Sequence, residues 1–135
     1  MNNKEKFMNE ALKEARKAYD KGEIPVGAVI VRDNKIIARG HNLKEKNQNA
    51  INHAEIIAIA KASKKIDNWR LIDCDMYVTV EPCIMCAGAL LASRIRKVYI
   101  GTLDNISGAF GSVLDITKYK FNHEVKVETR HIAGR

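Results

Sequence analysis

Met76-Tyr77-Val78-Thr79-Val80 is followed by Glu81-Pro82 and then by Cys83-Ile84-Met85-Cys86-Ala87-Gly88-Ala89-Leu90-Leu91-Ala92. The first five residues are rich in β-branched and aromatic side chains, which predicts a short strand. Pro82 suits the first turn of a helix, and the small apolar residues after it suit a helix packed closely on a sheet. Strand running directly into helix is the step from which layered α/β folds are built.

Downstream, Lys97-Val98-Tyr99-Ile100-Gly101 predicts the next strand, and a Gly-rich loop passes through Gly108-Ala109-Phe110-Gly111. A short helix or turn is expected near Val113 to Ile116, and Glu124-Val125-Lys126-Val127-Glu128 alternates like an edge strand. Upstream, a helix starts at His53, is apolar through Ala54, Ile56, Ile57, Ala58 and Ile59, and turns basic at Lys61, Lys64 and Lys65, as its dipole favours. The polar, Asn-rich stretch from His41 to Asn52 is expected to be a loop. Before it, Val26 to Val31 and Lys35 to Gly40 predict a hairpin around the turn signal Asp33-Asn34. A first amphipathic helix runs from about Asn3 to Tyr19, with Phe7, Met8, Ala11, Leu12, Ala15 and Ala18 at helical spacing, and Gly22 ends it. Helices between strands imply an α/β fold with a mixed sheet sandwiched by helices.

A chain of 135 residues, 46% of them hydrophobic, supports one compact core. With neither a repeat nor a linker, residues 1–135 form a single expected domain. The formal charge is +7, from 23 Lys and Arg against 16 Asp and Glu, and favours a polyanionic partner. Aromatic residues make up only 6%, which excludes an extended platform for stacking successive bases. Three cysteines, two of them in C-x-x-C spacing without a secretory signal, argue for a reducing compartment. No apolar run approaches a membrane span, so a cytoplasmic protein is expected.

His53, Cys83 and Cys86 are good zinc ligands, one short of the four in a closed structural site. An open fourth position is what a catalytic zinc keeps for water. Cys83 and Cys86 lie three apart at a helix start, where N–H groups and the dipole favour thiolates. Glu55, two residues beyond His53, is placed to handle protons while its neighbour holds the metal. A chance or redox C-x-x-C and a structural site completed by Cys74 are the competing readings. The proline before the pair and the H-x-E upstream favour the catalytic one.

The pairing of H-x-E with P-C-x-x-C is the signature of zinc-dependent base deaminases, so from here the reading is by resemblance. Pro25-Val26-Gly27-Ala28, Gly40-His41-Asn42, His53-Ala54-Glu55-Ile56, Glu81 to Ala89, Ser93-Arg94-Ile95 and Gly108 to Ser112 resemble bacterial tRNA-specific adenosine deaminases. The resemblance implies a cytidine deaminase-like three-layer α/β/α sandwich with a central mixed sheet of about five strands. It implies a homodimer acting on the wobble adenosine of a tRNA anticodon stem-loop, with one Zn2+ per chain on His53, Cys83 and Cys86. Glu55 is then the proton-transferring catalytic residue, and Asn42 contacts the base. The backbone of Ala54 and of Glu81 orients the reacting groups. Asp104 is expected near the nucleotide backbone, with Asn122 and His123 as a pair near the substrate. Relatives continue past about residue 130 into a further helix, which is expected to be missing from a chain ending Ile132-Ala133-Gly134-Arg135.

The functional expectation is hydrolytic deamination of adenosine to inosine in tRNA. The alternatives are a deaminase of free guanine, cytosine or their nucleosides, and a non-catalytic zinc-binding module.

Overall fold

The computed structural model describes residues 2–130. Positions 131–135, where the sequence departs from the expected terminal helix, lie outside the described residues.

Helix α1 (Asn3–Asp20) begins at an Asn2 cap, whose side-chain oxygen accepts from the Glu5 N–H at 2.9 Å. Strands β1 (Gly27–Arg32) and β2 (Lys35–His41) form the predicted hairpin. Asp33 and Asn34 both adopt positive φ, 51° and 64°, the backbone that a two-residue turn matched to strand twist requires. Helix α2 (Lys44–Asn47) is a single turn inside the stretch expected to be loop throughout. Helix α3 (Ala54–Ile66), strand β3 (Cys74–Val80), helix α4 (Ile84–Ala92) and strand β4 (Lys97–Thr102) follow as predicted in kind. A 3₁₀ turn at Ile116–Lys118 and strand β5 (Lys126–Thr129) are the last elements among the described residues, each displaced C-terminally by two or so residues from its expected place. Pro82 stands before helix α4 rather than in its first turn, and Cys83 is the N-cap.

The sheet has the order β2-β1-β3-β4-β5, antiparallel across the first two pairings and parallel across the last two. Alternation along each strand divides the core in two. Val29, Val31, Tyr77 and Tyr99 point to α1 and pack with Phe7, Met8 and Ala11. Ala28, Ile30, Met76, Val78, Val98 and Ile100 point the other way and pack with Ala54, Ala58 and Ala62 of α3 and Ala87 and Leu90 of α4. Helices therefore cover both faces, giving three layers, α/β/α. A Cβ on Gly40 would strike the Ala54 carbonyl and the Ala58 nitrogen, so β2 lies against the start of α3 only because residue 40 has no side chain. That contact brings the end of β2 to the start of α3, where the site lies. No described helix is long and apolar enough to cross a membrane.

Candidate metal centre and active site

Two helix starts converge beyond the sheet. His53 caps α3 and Cys83 caps α4, so both side chains project from the ends of their helices, and Cys86 follows one turn into α4. His53 Nδ1 lies 3.8 Å from Cys83 Sγ and 3.6 Å from Cys86 Sγ, and the three ligand atoms are all within 4.8 Å of one another. Tetrahedral zinc with bonds of about 2.0–2.1 Å to nitrogen and 2.3 Å to sulfur would set N and S about 3.6 Å apart, so the trio fits one ion. Cys74 is elsewhere: it starts β3, is buried, and its thiol donates to the Ile72 carbonyl at 3.5 Å.

The thiols share their protons unequally. Hydrogen bonding from Cys86, against the opposing effect of burial, lowers the Cys83 pKa to about 5, helped by the N–H groups of Cys86 and Met85 and by His53. The Cys86 thiol is pushed up, chiefly by its hydrogen bond with Cys83 and then by burial. A cation replacing the shared proton would convert both into thiolate ligands.

Glu55 is buried, and burial raises its pKa to about 7. Its Oε1 has no hydrogen-bond partner among the described residues, although an orphaned buried oxygen costs about 1–3 kcal/mol. A metal ion with a water in its fourth position would supply the missing donor. The residues present therefore fit a zinc ion: two sulfurs and one imidazole nitrogen at suitable separations, beside an unpaired carboxylate oxygen.

Beside this group is a cleft of about 140 Å³ lined by Ile24, Val26, Asn42, Lys44, His53, Glu55, Val80, Glu81, Cys83, Asp104 and Ser107. Asn42 Oδ1 accepts from the Ala54 N–H at 2.8 Å. The Ala54 N–H is thus already used, and Ala54 bears on the cleft by fixing Asn42. The Glu81 carboxylate accepts from the N–H groups of Asp104, Phe110 and Ser112. Asp104 lines the cleft, but its carboxylate closes its own turn, accepting from the N–H groups of Ile106 and Ser107 and from Ser107 Oγ at 2.9, 3.3 and 2.8 Å.

Asn122 and His123 are not brought to this cleft within the chain. His123 lines a separate groove with Leu91, Phe110, Ile116 and Phe121, and its Nε2 lies 2.7 Å from the Ile95 carbonyl oxygen, while Asn122 is exposed. Sequence reasoning missed Ile24, Lys44 and Ser107 as lining residues. It also missed Glu23, a buried carboxylate that accepts from the N–H groups of Glu45 and Lys46 at 3.0 and 2.8 Å and so anchors α2 and with it Lys44. An acidic residue directly after Gly22 was the only signal available for it.

Residues 1–102 match the family model for the cytidine and deoxycytidylate deaminase zinc-binding region. The chain is 47% identical over 128 residues to a tRNA-specific adenosine deaminase of Bacillus subtilis (strain 168), covering 94% of this chain and 80% of the relative. A solved structure from work on A-to-I editing by tRNA:A34 deaminases at the wobble position superposes with a TM-score of 0.88 at 40% identity, covering 91% of this chain and 90% of that one. A guanine deaminase from Bacillus subtilis superposes with a TM-score of 0.72 at 29% identity, covering 90% and 88%.

Proposed function

We infer, from the premise that this chain belongs to the tRNA-specific adenosine deaminases of the cytidine and deoxycytidylate deaminase zinc-binding family, that it hydrolyses the wobble adenosine of a tRNA anticodon to inosine and releases ammonia. The observation that carries this reading is the meeting of His53, Cys83 and Cys86 beside the unpaired Oε1 of buried Glu55.

His53, Cys83 and Cys86 would hold one zinc ion, which when bound would supply an activated water with a pKa of about 7. Glu55 Oε1 would accept one proton from that water and deliver it to the ring nitrogen of the base as the oxygen adds to C6, then take the remaining proton from the new hydroxyl and pass it to the amino group, so that the C6–N bond breaks, ammonia leaves and C6 becomes the inosine carbonyl. Asn42, with its oxygen committed to Ala54, presents its amide N–H groups to an acceptor on the base. Apolar Ile24, Val26 and Val80 line the cleft and exclude solvent from the flipped base. Lys44 and the net charge of +7 supply the attraction for the RNA backbone.

The whole chain acts as one domain and pairs as a homodimer in the cytoplasm, where its tRNA substrate is found. Ile84, Gly88 and Ala92 are exposed at four-residue spacing along α4, an apolar stripe that supports pairing. Asn122 and His123, remote from the cleft of their own chain, are available to a partner's substrate.

Deamination of free guanine is the second reading, favoured only by the guanine deaminase likeness, which is lower in both TM-score and identity. Ammonia release compared across an anticodon stem-loop carrying a wobble adenosine, guanine and cytidine separates them. Release from the RNA alone supports the proposal, and release from guanine alone refutes it.

A further inference from the structure

We propose that the Glu81 carboxylate is a positioning residue that sets the outer wall of the substrate pocket, tying the 104–112 segment to the metal-ligand turn; this rests on the deaminase reading above. Glu81 lies between β3 and α4, directly before Pro82-Cys83, and is 3% exposed. Oε1 accepts from the Asp104 N–H at 3.1 Å and the Ser112 hydroxyl at 2.5 Å. Oε2 accepts from the N–H groups of Phe110 and Ser112 at 2.9 and 3.2 Å. No salt bridge reaches it among the described residues, so these donors alone stabilise a buried anion. Burial pushes its pKa up, but the hydrogen bonds outweigh that and hold it below the ordinary carboxylate value.

The segment is shaped to receive that carboxylate. A Cβ on Gly108 would run into the Glu81 carboxylate and the Asp104 carbonyl, so residue 108 must be glycine for the carboxylate to lie there. The Ala109 N–H donates to the Pro82 carbonyl at 2.9 Å, a second tie to the same turn. Both ends of the segment are gripped from one point, and it presents Asp104 and Ser107 to the cleft that His53 and Glu55 also line. The wall is thereby fixed relative to Cys83, two residues along the chain from Glu81. His53 and Glu55 are set by α3 and do not depend on this segment. Loosening Glu81 should therefore weaken substrate binding while sparing the chemical step.

The test is steady-state inosine formation on an anticodon stem-loop by zinc-loaded wild type, Glu81→Gln and Ser112→Ala. Glutamine turns an NH2 group against N–H donors, and hydrogen bonds to charged groups are strong enough that KM should rise about tenfold or more, with kcat within about threefold. Ser112→Ala removes the hydroxyl donor alone and should raise KM by about threefold. Zinc content should stay at the wild-type level in both. Unchanged KM in both variants, a fall in kcat without a change in KM, or loss of zinc from Glu81→Gln would each overturn the proposal. If Glu81→Gln does not fold, Ser112→Ala decides by its KM alone. Absence of inosine from the wild type would instead remove the deaminase reading itself.

Discussion

Asn42 Oδ1 lies 2.8 Å from the backbone nitrogen of Ala54, so a loop residue and the first residue of α3 are joined at the mouth of the metal group. The carbonyl half of the amide holds the architecture and the N–H half is left for substrate. Asn42→Asp keeps the acceptor and removes the donor. We expect it to fold normally and to lose activity on RNA by about 10- to 100-fold, as a lost hydrogen bond of about 1.5–3 kcal/mol implies. Activity at the wild-type level would remove Asn42 from base recognition.

Glu55→Ala should bind zinc as the wild type does, because the ligand atoms belong to His53, Cys83 and Cys86. General acid and base assistance is typically worth about 10²–10⁴ in rate, and kcat should fall by at least that factor. Metal analysis and single-turnover kinetics on the same preparation check both halves. Full metal with full turnover would assign the proton transfers to another group.

Lys44 lines the cleft from α2, held there by Glu23. If its ammonium meets a phosphate, Lys44→Ala should weaken RNA binding and flatten the plot of log affinity against log salt by about 0.7, the slope of one single-strand contact. Asn42→Ala, which changes no charge, should leave that slope alone. Fluorescence anisotropy over a salt series reads both, and an unaltered slope in Lys44→Ala would mean that the lysine is merely solvated.

Glu128 on β5 carries the clearest acid-dependent stabilisation. Hydrogen bonds from Lys97 and Arg130, both at 2.9 Å, with Lys4 at 3.5 Å, outweigh burial and lower its pKa from 4.5 to about 2. The folded state binds this proton less readily than the unfolded chain does. Its stabilisation is therefore complete above about pH 4.5 and is lost as pH falls toward 2. Solvent reaches the group, so screening limits the contribution to about 1 kcal/mol. Glu128→Gln should lower the unfolding free energy by about that much at neutral pH and less near pH 3, as urea titrations would show. A difference that grows as the pH falls would contradict the assignment.

Most of the fold was readable because local signals agreed with the tertiary outcome. Asp33-Asn34 marks a tight hairpin, Val29 and Val31 alternate with Ala28 and Ile30, and the apolar spacing of α1 matches the face it buries. His53, Glu55, Cys83 and Cys86 were readable because their chemistry depends on residue type and spacing at helix starts. The missed features rest on distant partners. Helix α2 is a single turn anchored by Glu23, 22 and 23 residues from its hydrogen-bond partners. Glu81 binds donors 23 to 31 residues downstream, which no periodicity encodes. The remote placement of His123 follows from its tie to the Ile95 carbonyl, 28 residues away.

An anticodon stem-loop with adenosine at the wobble position, incubated with zinc-loaded protein in water labelled with heavy oxygen, should yield inosine at that position alone, one solvent oxygen per inosine and one ammonia released. Glu55→Ala should yield none on the same timescale. Inosine lacking solvent oxygen, or no inosine while free guanine is deaminated, would contradict the account.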